Sequence, residues 1–568
     1  MCNISQIPMM YRAQLPGRCQ LQYIDPVKSK NQKEQDSERW TSEWLKTVSS
    51  QPPKFSEGIR VQSYDINWRF VTNGGQDDGI IRPVIGAKGY PYYPGSSMKG
   101  VFRRACTPQQ AQRYCGGDSG QGDFTPGLLR FHGGYPVDNN WQNQNYLVDI
   151  IHGQQDWQVK SNEKKGALAQ ISLYQPTLKF GISSTVPLEE SEWETIWKIW
   201  EKGLSTGIGC RVSAGYGQPK MKKANFFYKT GLQGQGMASK LVTGEAEFRP
   251  NMFKAALRGH ALRLFGGLTT ADNAEKLVQE LFGGVKGETT VGLLGVSFQF
   301  SPDHLNFEDF GRQPYTVTAY NVKGQLCFSL NKQLPEDQKK VLMKVIKALT
   351  RFAMLFGGFG KSWRRADHQK FFPEYYEGGN AKPLIGCHWQ WYGEASRFKH
   401  TRNGVRNLKQ VPVFIDDRVR SHLQEWMALR GISPTPNNYA QNWREAWHPK
   451  KVQVWGRIAT DNEDSRAIEW LHKPYRRAIR EARIPEGTIY NSSVTGSMGN
   501  IGRIWHRMYP LVTLEPDPNN PEQYRTRPTD QYLELFTFFP SDYPDQQERE
   551  FLNFLENQQE MFQLLWGK

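Results

Sequence analysis

Carboxylate is in short supply. The 568 residues carry 56 Asp and Glu against 72 Lys and Arg, a formal net charge of +16. That balance argues against a polycationic ligand and suits a polyanion. Cysteine is scarce too. Cys2, Cys19, Cys106, Cys115, Cys210, Cys327 and Cys387 are scattered, with no Cys-x-x-Cys. A zinc site or disulfide framework does not fit that spacing, whereas reduced cytosolic thiols do. No apolar run approaches the length of a membrane span, and the N-terminus lacks a basic-then-apolar leader. The expectation is a cytoplasmic protein with no membrane partner. Histidines are dispersed without a His-Asp nuclease pair. Gly74-Gly-Gln-Asp-Asp78 misses a Gly-Gly-Asp-Asp cyclase motif through Gln76.

Aromatics are plentiful: 18 Trp, 24 Tyr and 30 Phe. Most are expected to fill cores, and the length allows two to four domains.

The stretch that organises the chain is Tyr90–Ala105. Pro94-Gly95 punctuates it. Ser96 or Ser97 is placed to cap a helix whose first N–H groups favour an anion. Met98, Val101, Phe102 and Ala105 have helical apolar spacing, with Lys99, Arg103 and Arg104 in the same turns. A capped surface helix with solvated cations is the plain alternative to a phosphate site. The pattern recurs at Pro250–Arg258, where Lys254 and Arg258 match Lys99 and Arg103. Each copy is followed by a long amphipathic helix and a glycine loop. The loops are Gly207-Ile-Gly-Cys-Arg-Val-Ser-Ala-Gly-Tyr-Gly217 and Gly357-Gly-Phe-Gly-Lys-Ser-Trp-Arg-Arg365. Lys99 precedes Gly207 by 108 positions and Lys254 precedes Gly357 by 103. Matched order and separation imply two diverged copies of one domain.

Pro94-Gly-Ser-Ser-Met-Lys-Gly100 resembles the first-helix motif of the repeat-associated mysterious proteins, the RAMP superfamily of CRISPR effectors. The two glycine loops resemble that superfamily's glycine-rich loop. The first copy is most similar to the repeating backbone (Cas-seven type) subunit of type III complexes, III-D included; the second resembles more divergent RAMP subunits. The resemblance covers most of residues 1–400. It implies an α+β chain of two tandem ferredoxin-like (RRM-like) domains, a fused backbone subunit binding guide RNA and target RNA. Its partners would be other RAMP subunits and the large polymerase-like subunit, which this chain, lacking the cyclase motif, is not.

On this reading residues 1–228 form the first domain, with a surface insertion at 26–58 and a thumb-like hairpin segment at 107–165. Residues 229–400 form the second. Residues 401–495 form a basic helical insertion, and a strand–strand–helix unit at 496–568 completes the second sheet. Strand-like pieces lie in Ile7–Ile24 and Ile59–Val71. Helices are predicted over Trp40–Val48, Leu188–Leu204, Pro335–Phe356 and about 545–565. A strand is read near 291–300, and a hairpin over 315–330 turning at Asn321-Val-Lys-Gly324. Trp193, Trp197 and Trp200 read as core.

The loop Gly357–Ser362 is not a P-loop: Leu355 stands where the first glycine should, and a helix precedes it. Gly207–Val212 likewise fails the dinucleotide fingerprint at Val212. A glycine loop after a helix can instead bring its N–H groups to a nucleic-acid backbone. The candidate RNA contacts are Arg82, Ser96, Ser97, Lys99, Arg103 and Arg104, with Gly207, Gly209, Arg211 and Gly215 in the first copy. In the second they are Lys254, Arg258, Gly357, Gly358, Gly360, Lys361, Arg364 and Arg365, followed by Arg503, His506 and Arg507. Asp77 and Asp78 precede the first helix in a glycine loop. The resemblance gives an acid in this loop metal-assisted cleavage of target RNA, with Mg²⁺ or another divalent ion as cofactor. Here the two acids precede Gly79-Ile-Ile-Arg-Pro-Val84, while Ile81 and Arg82 stand nearer the Pro-Val where the family's acid lies. A turn with helpful Asp side chains is the plain alternative. Glu245 and Glu247 are the second copy's nearby acids, and that copy is expected to bind without cleaving. Two other functions stay open: a non-catalytic structural RNA-binding subunit and a stand-alone RNA-processing endonuclease.

Overall fold

The computed structural model describes residues 32–568 except 73, 78–79, 119–123, 152–154, 162–167, 221–225, 242, 285–290, 311–315, 361–385, 394–404, 473, 476–486, 490–491, 498–499 and 559–560. The Ile7–Ile24 strands lie outside the described residues. The chain divides into two compact units. One comprises 1–153, 166–226 and 240–247; the other comprises 154–165, 227–239 and 248–568.

In chain order the first unit contains β1 (Arg60–Asp65), β2 (Gly75–Asp77), β3 (Ile80–Arg82), α1 (Gly95–Ala105), α2 (Pro108–Cys115), β4 (Leu129–Pro136), β5 (Val148–Ile151), β6 (Leu168–Ile171), β7 (Thr177–Ser184) and α3 (Glu190–Leu204). The main sheet runs β1-β7-β4, antiparallel throughout. Beyond β1, Pro219 bridges Ile66, so the chain leaving the first glycine loop lies along the sheet's open edge. A second sheet has the order β2-β3-β6-β5. The segment expected to be a projecting thumb is therefore built into the body. It supplies β4 to one sheet and β5 to the other, because Leu129 and Val148 bury apolar side chains. The insertion at 26–58 is also anchored. Its helix Gln32–Thr47 buries Trp40 and Trp44, and Trp44 packs on Trp141 at 5.1 Å.

The second unit contains β8 (Tyr228–Met237), α4 (Asn251–Gly266), α5 (Ala271–Phe282), β9 (Leu294–Gln299), β10 (Val317–Leu330), α6 (Glu336–Leu355) and β11 (Cys387–Trp391), with sheet order β9-β10-β8-β11. No hairpin turns at Asn321–Gly324: β10 is continuous. It is paired with β8 on one side and with β9 and the strand Leu305–Phe310 on the other. Gly324 serves packing there, since a Cβ would stand 2.5 Å from the Gln299 carbonyl oxygen.

The same unit holds another sheet. It contains β12 (Gln453–Ala459), α7 (Arg466–His472), β13 (Ile504–Asp517), β14 (Asn520–Phe538), α8 (Gln546–Asn557) and β15 (Gln563–Trp566), in the order β13-β14-β12-β15. The C-terminal strands thus do not complete the preceding sheet. They pair with β12, a strand inside the region read as a helical insertion, whose residues Val454, Trp455 and Ala459 are buried. With the side strand Leu305–Phe310 set aside, both sheets of this unit have the same order, second–third–first–fourth strand. The main sheet of the first unit has that order for its first three strands. Helix and strand are mixed as α+β. Among the described residues no helix is long and apolar enough to cross a membrane.

Candidate nucleic-acid interface

Helix α1 buries Met98, Val101, Phe102 and Ala105. Each large side chain so buried contributes about 1.5–3 kcal/mol. The opposite face exposes Ser96, Ser97, Lys99, Arg103 and Arg104. The expected serine cap is absent. Pro94 is the N-cap without a side-chain bond, and the serines lie inside the first turn. The start is fixed by close approach instead. A Cβ on Gly95 would lie 2.0 Å from the Phe131 carbonyl oxygen, and Tyr93 pairs with Gly134 of β4 through main-chain bonds of 2.8 and 2.9 Å. Of the three cations, Arg103 is engaged: its Nη1 donates to the Gly116 carbonyl at 2.7 Å. Lys202 Nζ donates to the Ala105 carbonyl at 2.9 Å, at the helix's C-terminus, where a cation is favoured.

The first glycine loop sits directly beside this helix. Gly207, Gly209, Gly215 and Gly217 all have positive φ, and so has Arg211 at 57°. A Cβ on Gly209 would stand 2.3 Å from the Val71 oxygen. The Cys210 N–H donates to that oxygen at 2.7 Å. Tyr93, just before α1, is bonded to the Gly209 main chain. Burial pushes its phenol up to about 12, against the opposing field of Arg104. Arg104 and the Gly209 turn are therefore neighbours, and Arg211 is exposed on the same loop. Of the glycines read as RNA contacts, Gly207 and Gly215 are buried, with φ of 88° and 89°.

Asp77 ends β2, paired in main-chain register with Ile80 of β3. Asp78 lies outside the described residues. Where a loop is expected, β2 and β3 thus pair antiparallel on either side of positions 78 and 79. Arg82 pairs with Gly75 in that ladder. From β3 the chain passes to Val84, whose carbonyl accepts from the Tyr92 N–H at 3.0 Å, two residues before Pro94. The β2-β3-β6-β5 sheet is tied to the glycine loop by Asp149 of β5. Its buried carboxylate accepts from Tyr216 Oη at 2.8 Å and Gln170 Nε2 at 2.7 Å. Sequence reasoning missed this link; the signal is one acid inside the apolar run Leu147–Ile151. Among the described residues no group of three or more His, Cys, Asp or Glu is placed to hold a metal.

In the second unit Lys254 and Arg258 are half-buried on α4. Arg258 Nη1 donates to the Gly283 carbonyl at 2.7 Å. The described part of the second loop packs inside: Gly357 and Gly358 are buried, and a Cβ on Gly357 would stand 2.3 Å from the His260 ring. Gly360 abuts Tyr320 and Met252. Lys361, Arg364 and Arg365 lie outside the described residues. Arg507 Nε donates to the Gly357 carbonyl. Arg503 Nη1 donates to the Phe539 carbonyl at 3.2 Å. His506, 1% exposed, faces the fully buried Glu534 at 3.1 Å. His506 is thus buried in the fold, while Arg503 and Arg507 are partly exposed with their guanidinium groups bonded to main-chain carbonyls. Glu247, read as an acid near the second copy's first helix, belongs to the first unit and is buried against Arg69 at 2.6 Å.

Among the described candidate cations, Lys99 and Arg104 are exposed on α1 with no hydrogen-bonded or ion-paired partner among the described residues, and Arg211 is exposed on the first loop. No protein-family model matches the chain, and no curated protein matches it. Among solved structures it is similar to a chain of the cryo-EM structure of the type III-B Cmr-beta bound to cognate target RNA. That match has 19% identity and a TM-score of 0.20, over 29% of this chain and 60% of the other. It is also similar to apo Cmr1 from Pyrococcus furiosus, with 12% identity and a TM-score of 0.32, over 60% of this chain and 98% of that one.

Proposed function

We propose that this chain is a RAMP-superfamily, guide-RNA-binding backbone subunit of a type III CRISPR effector ribonucleoprotein. Sister RAMP subunits and the large polymerase-like subunit would be its partners. The observation that carries the reading is the exposure of Lys99 and Arg104 on α1 and of Arg211 on the glycine loop that follows, in a chain of net charge +16. Its support is the Pro94–Gly100 motif and the strand order of the sheets, which we read as ferredoxin-like. On that reading the domain count rises from two to three, with β12–β15 as the third. Sequence would be read by base pairing, and the protein would hold phosphate and A-form shape.

The test is salt-dependent guide-RNA binding by the full chain. Alanine at Lys99, Arg104 and Arg211 should weaken every sequence alike. Each phosphate that is no longer neutralised should lower the log–log slope by roughly 0.7–0.9. An unchanged slope sinks the assignment.

Cleavage of paired target RNA is a second proposal, resting on Asp77, the last residue of β2, and on Asp78, its neighbour in sequence. Two carboxylates are the hard oxygen donors that Mg²⁺ takes, and a metal held there would stabilise charge on a scissile phosphate. Alanine at both acids should abolish the cut assigned to this domain in the assembled complex while guide binding persists. Cutting at wild-type rate would make the chain a scaffold, and cutting by the isolated chain without guide would make it a processing endonuclease.

A further inference from the structure

The outer face of the β9-β10-β8-β11 sheet is an amide ladder. Opposed residues share a face of an antiparallel sheet. Register places Asn321, Gln235 and His388 in one row, and Lys323, Gln233 and Gln390 in the next. The row after that holds Gln325 and Gly231 and ends at Tyr392, whose N–H donates to the Gly231 carbonyl at 3.0 Å. Asn321, Lys323 and Gln325 are exposed, alternating with buried Tyr320, Val322 and Leu326 on the inner face. Tyr392 is 39% exposed, and Lys323 Nζ stands 5.9 Å from its ring centroid. Gln390 Nε2 lies 2.9 Å from His388 Nε2. These three rows hold no carboxylate. The first acid comes one row further, at Glu308 opposite Ala319.

A solvated sheet face is ordinarily served by Thr and by charges of both signs, and Asn is a poor strand former. Side-chain amides offer a donor and an acceptor on each group, which is what unpaired base edges require. A tyrosine ring beside a lysine offers stacking and a phosphate partner together. The inner face is built to hold the platform flat. A Cβ on Gly234 would stand 2.3 Å from the Trp389 ring, and Trp389 Nε1 is fixed to the Phe359 carbonyl at 3.0 Å.

We infer that this face binds single-stranded RNA, with bases stacked on Tyr392 and read by the Gln233–Gln390 and Gln235–Asn321 rows, and the backbone held by Lys323. The inference rests on the RNA-binding reading above but uses a different surface from that of α1. Charge selects the occupant: a stripe of amides with lysine and no acid favours a polyanion with hydrogen-bonding edges over a protein surface.

The test uses the full-length chain and a fluorescein-labelled, unstructured RNA of about ten nucleotides, a length within the usual site size. Tyr392→Ala and Lys323→Glu should each weaken binding about fivefold or more, the size of one base stack removed. Tyr392→Phe should retain it, and photo-crosslinks should map to β10 and β11. A parallel arm carries Lys99→Ala and Arg104→Ala. RNA binding that falls in that arm but not in the ladder variants overturns this inference and leaves the α1 reading standing. No RNA binding by the wild-type chain sinks both. Equal binding of the matching DNA overturns the assignment to RNA. Loss of a sister subunit from the copurified complex, with RNA affinity unchanged, assigns the face to protein and overturns it too.

Discussion

Arg103 reaches the carbonyl of Gly116, thirteen residues along the chain, at 2.7 Å. Arg258 makes the same bond to Gly283 at the same distance. The correspondence goes further. Gly116 and Gly283 each cap the following helix, with φ of 76° and 85°, and each donates its N–H to a glutamine carbonyl, Gln112 or Gln279. Glycines press on both caps: a Cβ on Gly127 would lie 2.5 Å from Gly116 N, and one on Gly292 would lie 2.3 Å from Gly283 N. The Leu128 and Leu293 N–H groups then donate to Arg113 and Glu280, at 3.0 and 2.8 Å. One local design, a helix cation tying down the C-terminus of the next helix, is used twice.

That bond predicts an outcome unlike that of a phosphate contact. Arg103→Ala and Arg258→Ala should each cost about 1.5–3 kcal/mol of stability in denaturant unfolding, the range for a hydrogen bond with one charged partner. RNA salt slopes should stay near wild type. Slopes that flatten with stability unchanged would return both arginines to the interface.

What the sequence made legible follows from what kind of signal each residue carried. Strong 3.6-residue periodicity with terminal punctuation located α3 and α6 to within two residues at each end. It also placed Trp193, Trp197 and Trp200 in the core. Local turn chemistry misled at Asn321–Gly324, where pairing on both sides of β10 overrides it. Strand β12 was hidden because its short apolar run stands among basic residues. The exposed cations Lys99, Arg104 and Arg211 could be named from sequence. The occupation of Arg103, Arg258, His506 and Arg507 could not, because each partner is fixed only by tertiary packing. Asp149 and Tyr216 were invisible for the same reason: their bond spans 67 residues.

Glu534 is the hub of the C-terminal sheet. Its carboxylate accepts from Arg457 at 2.9 Å, Ser465 Oγ at 2.7 Å and the Ala467 N–H at 3.0 Å, and it faces His506. These partners hold its pKa below the usual glutamate value, against the desolvation of full burial. A carboxylate depressed in the fold stabilises above its unfolded pKa, and that contribution is lost as pH falls through the folded value. Acid unfolding followed by tryptophan fluorescence should therefore weaken this sheet as pH drops below about 4.3. Glu534→Gln should flatten that dependence and, by removing one of the two carboxylates on Arg457 while Asp464 stays paired at 2.7 Å, cost about 1–3 kcal/mol at neutral pH. An unaltered acid profile in the variant would remove Glu534 from the account.

Gly95 and Gly100 occupy one helix and should respond oppositely to alanine. At Gly95 the added methyl would meet the Phe131 carbonyl oxygen at 2.0 Å, so the helix start or β4 must shift. A loss of about 1–3 kcal/mol in unfolding is expected, as for an atom added to a closely packed site. At Gly100 nothing lies within 4 Å of the added methyl. Replacing a helix-interior glycine there should stabilise the chain by about 0.5–1 kcal/mol, since alanine gives up less backbone entropy. A glycine that weakens its own helix is useful if a phosphate backbone comes against the helix at that point, one residue from Lys99 and on the way to Arg104. Gly100→Ala should then give a chain that melts higher and binds RNA more weakly, with Lys99 and Arg104 untouched. A variant that melts higher and binds RNA as the wild type does would place the RNA path off this face of α1.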